Sequence, residues 1–292
     1  MKTKKFTTVF SLGVVILVAF GLAWAGSQGS LRAFGMPLFM FLIGLAFIMQ
    51  WIAFIPAYIF QTEKFYDLTG SLTYITVTVV ALVLSGSVDA RTYLLSGMVI
   101  LWALRLGSFL FRRILKSGKD SRFDAIKPDF LRFLLTWTMQ GLWVSFTAAA
   151  ALAAISAQIK VSLDGYALAG LLVWLAGLGF EAVADAQKSK FRKNPSDKDR
   201  FIHSGLWAWS RHPNYFGEIL LWVGVAVTAF PVLYGWQLVT LISPVFVVFL
   251  LTKVSGIPLL EKRADEKWGG QADYEAYKKN TSVLLPLPPK RK

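Results

Sequence analysis

Residues 211–218 read Arg-His-Pro-Asn-Tyr-Phe-Gly-Glu and open onto an apolar run that continues to about residue 231. A guanidinium, an imidazole, an amide, a phenol and a carboxylate in one short stretch can hold an anion or an amide-bearing ligand. Pro213 disfavours α geometry at His212. The spacing therefore predicts a helix starting near Asn214, with Asn214 as its N-cap and Glu218 one turn along on the same face. A helix N-terminus beside Arg211 and His212 is an anion site. The plainer alternative is a basic anchor for lipid phosphates, with Trp207, Trp209 and Trp222 in the interface. Glu218 argues against the anchor, being a carboxylate inside an apolar span.

Three other clusters carry comparable chemistry. Glu181 and Asp185, in LGFEAVADAQ, are spaced to share one helix face. Carboxylates at a bilayer boundary are costly unless they pair or face a wet cavity. They either form an ion pair with Arg211 or Lys188, or accept hydrogen bonds from a ligand's hydroxyls or amide. Arg105, in MVILWALRLGSFLF, lies well away from both ends of its span, so it pairs with Glu181, Asp185 or Glu218, or lines a cavity. In the following RRILKSGKDSRFD, Lys116, Lys119 and Arg122 either hold phosphates or only set topology. Finally, QTEKFYDLTG groups Gln61, Glu63, Tyr66 and Asp67, carboxylates and a phenol able to polarise a carbonyl.

The elements that position these groups are membrane spans. Of 292 residues 55% are hydrophobic, mean hydropathy is +0.53, and the apolar runs reach the roughly 20 residues needed to cross a bilayer core. Eight are expected, near 6–26, 36–60, 71–87, 92–111, 131–157, 165–187, 214–231 and 236–254, and all must be helical. The expected fold is an all-α polytopic transmembrane bundle of seven or eight spans, one integral membrane domain over 1–292 with no soluble domain. Seven spans would follow if the lysines, apolar run and Ala23-Trp24-Ala25 of the opening were a cleaved signal peptide.

The net charge of +14 is explained by topology. Lys2, Lys4 and Lys5, segment 112–128, segment 188–212 and segment 253–292 hold most of the basic residues, whereas the opposite loops hold only Arg32, Arg91 and Lys160. The positive-inside rule puts the rich segments and both termini in the cytoplasm, and removes the case for a nucleic-acid partner. With no cysteine and only His203 and His212, disulfides, thiolate catalysis and a multi-histidine metal site are excluded, and no metal is expected. There is no strand–GxGxxG–helix unit and no GxxxxGK[ST], so any nucleotide must be held by the spans and their loops. No pattern of buried charges marks an ion pathway.

GLWAWSRHPNYFGE, with the downstream GIPLLEKRADEKWGGQADYEAYKKNTSVLLPLPP, resembles the C-terminal half of the steroid 5α-reductase-like superfamily. More closely, from about residue 50 onward the chain is similar to the bacterial proteins grouped there as DUF1295, which implies the bacterial inner membrane. The superfamily implies two chemistries. Sterol reductases use NADPH on a carbon–carbon double bond, and isoprenylcysteine and phospholipid methyltransferases use S-adenosylmethionine. Asn214 after the proline and Glu218 after the glycine follow the reductase form. By the same resemblance, Asp185 and Arg192 match an Asp and an Arg that contact NADPH, and Asn214 and Glu218 match the nicotinamide end. Glu181 stands where steroid reductases have an asparagine, and Trp102 about where they have a tyrosine. The pair that meets the steroid carbonyl has Gln50 or the Glu63 cluster as candidates.

The expected function is thus a membrane NADPH-dependent reductase of an activated double bond in a lipid-soluble, steroid- or isoprenoid-like substrate entering from the bilayer. Glu63, Tyr66 and Asp67 form the catalytic cluster, within a substrate-side N-terminal part, 1–130. Arg105, Lys116, Lys119, Arg122, Glu181, Asp185, Arg192, Arg211, His212, Asn214, Tyr215 and Glu218 bind the cofactor, mostly within 131–292. The alternatives are an S-adenosylmethionine-dependent methyltransferase and a non-enzymatic lipid-binding protein. Nothing in the sequence sets the oligomeric state.

Overall fold

The computed structural model describes residues 2–86, 88–197 and 199–289, with side chains from residue 5. Lys198, Lys290, Arg291, Lys292 and the side chains of Lys2 and Lys4, all used in the charge argument, lie outside the described residues, as does residue 87 of the third expected span.

Helices α1 (Lys2–Gly26), α2 (Leu38–Ile59), α3 (Tyr66–Leu84), α4 (Ala90–Ser117), α5 (Phe130–Thr147) and α6 (Ala149–Ile155) are followed by α7 (Gly165–Lys193), α8 (Pro213–Ala229), α9 (Ile242–Phe249), α10 (Ile257–Trp268) and α11 (Ala272–Asn280). The only paired strands among the described residues are Arg32–Ala33 and Met36–Pro37. Seven helical segments are long and apolar enough to cross a membrane, and α5 with α6 makes an eighth if that bent pair is one span. The protein is an all-α integral membrane protein.

Two expected spans are not simple rods. Run 131–157 breaks at Ala148, where α5 and α6 meet at 59°. There the Ser243 hydroxyl donates to the Thr147 carbonyl, and a side chain inserted into the helical ladder is a sufficient cause of a kink. Run 236–254 begins as a 3₁₀ turn, Gly235–Leu241, continues as α9 and ends in a π turn, Leu250–Val254.

The chain divides into two compact units, Met1–Leu168 with Val225–Ser243, and Ala169–Gly224 with Pro244–Lys292. In the first, α2, α3 and α5 pack on one another, and α4 packs on α3. Polar side chains in these spans bond across helices: Gln50 Nε2 donates to Thr73 Oγ1 at 2.7 Å, and Trp51 Nε1 to Thr138 Oγ1 at 3.1 Å. Arg91, read from the sequence only as a loop charge, is fully buried. Its guanidinium donates to the carbonyls of Val161 (3.0 Å), Ser162 (2.7 Å) and Thr228 (2.7 Å) and pairs with Asp164 at 2.7 Å.

In the second unit a glycine seam joins α7 to α8. A Cβ on Gly217 would stand 2.5 Å from Glu181 N and 2.6 Å from Gly177 O, and one on Gly224 would stand 2.6 Å from Gly170 O. The contacts run in opposite directions along the two helices, so these lie antiparallel. Small residues let helix backbones approach this closely where lipid offers no hydrophobic drive. Gly217 of the Arg211–Glu218 motif therefore lets α8 approach α7 closely enough for Asn214 to reach Asp185.

Candidate functional site

The segment entering α8 is tied down at every step. Gly205, at φ +62°, makes the turn, and Leu206 N–H donates to Gln187 Oε1 at 3.0 Å. Trp207 Nε1 donates to Ala184 O at 3.0 Å, with the Lys188 ammonium 4.3 Å from the Trp207 ring centre. The C-terminal tail runs alongside. Arg211 N–H donates to Ser282 O (2.8 Å), Ser210 Oγ to Leu284 O (2.8 Å) and Leu287 N–H to Trp209 O (3.0 Å).

Asn214 is not the N-cap expected from sequence. Helix α8 starts at Pro213, whose fixed φ and missing N–H suit the first helical position, and the backbone N–H groups of Tyr215 and Phe216 point to His212 O. The freed Asn214 amide donates to Asp185 Oδ1 at 3.3 Å across the seam. Glu181 and Asp185 are both buried.

Arg211 and His212 meet a residue that the sequence reading passed over. Glu261, on α10, accepts from Arg211 Nη1 through Oε2 at 2.7 Å, and its Oε1 lies 2.7 Å from His212 Nε2. Tyr215 stacks on the His212 ring at 5.6 Å and 10°. Gly256 sets the height of α10, since a Cβ there would come within 2.9 Å of the Tyr215 ring. Burial, the largest influence, holds the imidazole of His212 below its ordinary pKa, against the opposing pull of Glu261.

Beside this triad lies a cavity of about 370 Å³. Lys188, Arg192, Arg200, Arg211, Arg263 and Lys267 line it, against two carboxylates, Asp197 and Glu261. Its aromatic wall is a cluster built on Phe201, which meets Tyr274 at 5.2 Å and Tyr277 at 5.3 Å. Trp268 anchors the loop by donating from Nε1 to Asp199 O at 2.7 Å. Burial pushes the Tyr277 hydroxyl well above its ordinary pKa, and that hydroxyl donates to Trp207 O at 2.7 Å.

Of the expected cofactor residues, Arg192, Arg211 and His212 line this cavity, while Glu181, Asp185, Asn214, Tyr215 and Glu218 lie in the same unit on α7 and α8. Arg105, Lys116, Lys119 and Arg122 belong to the first unit. Lys119 pairs with Asp124 at 3.1 Å, and Arg122 forks onto the Asp120 carboxylate. Glu63 is buried, accepting from Asp120 N–H at 2.8 Å and Lys127 Nζ at 2.9 Å. Burial raises its pKa, but those two bonds outweigh it and leave the carboxyl below the ordinary range. Tyr66 donates to Thr136 O at 3.0 Å within an aromatic cluster of Phe123, Phe133 and Trp137. Asp67 keeps partial exposure, with Arg113 at 3.6 Å.

The missed residues were legible in part. Glu261 and Asp265 have the same four-residue spacing that singled out Glu181 and Asp185. Phe201 gave no signal, because its neighbours Tyr274 and Tyr277 are remote in sequence.

Two relatives are similar to parts of this chain. A probable O-methyltransferase, ustE, from Ustilaginoidea virens is 29% identical over 91 residues, 31% of this chain and 32% of that protein. A steroid 5-alpha-reductase, DET2, from Gossypium hirsutum is 28% identical over 120 residues, 41% of this chain and 42% of that protein. The chain thus covers less than half the length of either relative. No solved structure matches. The model of one family covers residues 53–281, and the chain belongs to it: DUF1295, described as a protein of unknown function.

Proposed function

We propose that the protein is a membrane reductase that holds NADPH in its second unit and reduces an activated carbon–carbon double bond of a lipid-soluble substrate. The observation that supports this most is the cavity beside Arg211, where six cationic side chains face two carboxylates and an aromatic wall. NADPH carries a pyrophosphate and a further phosphate, which guanidinium groups bind with two hydrogen bonds each. S-adenosylmethionine is a sulfonium cation whose single anionic group, a carboxylate, can engage one guanidinium but leaves the remaining cationic side chains without a partner. The similarity to ustE keeps the methyltransferase as the second reading.

In this reading Arg192 and Arg211 bind phosphates at the cavity, and Asp185, Asn214 and Glu218 orient ribose and carboxamide. When bound, NADPH supplies the hydride. Within the first unit, Glu63 and Tyr66 are tied to their own loop and helices, which leaves Asp67 as the partly exposed member of that cluster. The basic segments and both termini face the cytoplasm, where NADPH is available. The test is NADPH-dependent loss of a conjugated enone chromophore by membranes containing the chain. Transfer of a methyl group from S-adenosylmethionine instead would replace this reading.

A further inference from the structure

Glu261 bonds two cavity-lining side chains at once, and the chemistry of the three groups fixes their protonation. A guanidinium is always charged, so the carboxylate facing it is an acceptor only. The imidazole nitrogen that faces the other carboxylate oxygen, Nε2, must then carry a hydrogen. The remaining nitrogen, Nδ1, is sealed from solvent and has no hydrogen-bond partner among the described residues. Either state leaves Nδ1 unpaired, but a neutral ring leaves only an acceptor lone pair there, whereas a protonated ring would strand a buried N–H of a charged group, the costlier of the two.

We propose that His212 is a positioning residue held as the neutral Nε2–H tautomer, and that with Glu261 it forms a non-titrating clamp aiming the Arg211 guanidinium into the cavity. The role of the aimed guanidinium rests on the NADPH reading; the state of the ring does not. The charged groups near the ring are Glu261 from α10, Lys188 from α7 and Arg211 beside it, with the Tyr215 phenol stacked on its face. The net effect of burial among them is to disfavour the imidazolium. The ring is therefore no proton donor or acceptor for the reaction.

Only two histidines are present, so the test is clean. In the His203→Gln variant, labelled with nitrogen-15 in detergent micelles, His212 is the sole imidazole. Its nitrogen shifts should report Nε2–H and stay constant from about pH 8 to about pH 5.5, where an ordinary imidazole titrates. A shift typical of the Nδ1–H form, or titration near the ordinary value, overturns the proposal. Binding of NADPH supplies the second arm. His212→Gln, whose amide can still donate to Glu261, should retain affinity within about threefold, and His212→Ala should lose about tenfold or more. Equal behaviour of the two variants overturns the clamp. Failure of the unmodified protein to bind NADPH would count against the cofactor reading, and the nitrogen shifts would still decide the state of the ring.

Discussion

Each compact unit holds a carboxylate between two hydrogen-bonding partners, Glu63 buried in the first and Glu261 partly buried in the second, and the two are used differently. Glu63 spends its oxygens on the backbone of Asp120 and the ammonium of Lys127, both in the segment just before α5. It closes that loop onto its own unit. Glu261 also engages two partners, but both Arg211 and His212 line a cavity. In a chain this apolar, a buried charge is thus either a fastener or a support for something that enters. What separates the two is whether the partners reach open space.

Mutations can break or sharpen that contrast. The largest stability effect is expected at Arg91, the strongest fastener of the first unit. Arg91→Leu strands three carbonyls, each costing about 1–3 kcal/mol when left unpaired, so the melting midpoint in detergent should collapse. Next is Gly217→Val in the second unit. It forces apart two backbones that touch, costing about 1–3 kcal/mol, and it should also lower nucleotide affinity by displacing Asn214 from Asp185.

Glu63→Gln should cost about 1 kcal/mol and leave NADPH affinity unchanged, since the ammonium of Lys127 keeps partial solvent contact. The sign of its pH dependence follows from a folded pKa below the unfolded one. The stabilisation is present above the ordinary carboxylate value and is lost as pH falls through the folded value. Wild type and variant should therefore differ at neutral pH and converge in acid. A loss of NADPH affinity in this variant would erase the distinction between the two carboxylates. Arg192→Ala should have the smallest effect on stability, within about 0.5 kcal/mol, because the side chain is exposed. Its NADPH affinity should fall about tenfold or more while NADH affinity holds, one charge-assisted contact being worth about 1.5–3 kcal/mol. Equal loss for both nucleotides would remove Arg192 from the extra phosphate.

What was legible in the sequence follows the range of the physics. Span positions came through because length and hydropathy are local properties, and the Glu181–Asp185 face because helical spacing is local too. The break at Ala148 did not, since the Ser243 hydroxyl that bonds Thr147 O there comes from far along the chain. Arg91 looked like a loop charge because its three carbonyl partners come from Val161, Ser162 and Thr228. At the motif, Pro213 is the first helical residue, so the helix starts one residue before the predicted Asn214, and Asn214 bridges to Asp185 where the spacing predicts a cap. Glu261 needed the fold to bring α10 beside His212.

The central claim is that the cationic cavity of the second unit holds NADPH. The most direct measurement is a ligand thermal shift on the detergent-purified protein, with NADPH and S-adenosylmethionine titrated separately into wild type and Arg211→Ala. Binding to the folded state alone stabilises it once free ligand exceeds its dissociation constant, by about 2.7 kcal/mol at a hundredfold excess, and so raises the midpoint. The expected result is stabilisation by NADPH that Arg211→Ala removes, with no shift from S-adenosylmethionine. Stabilisation by S-adenosylmethionine with none from NADPH would contradict the account.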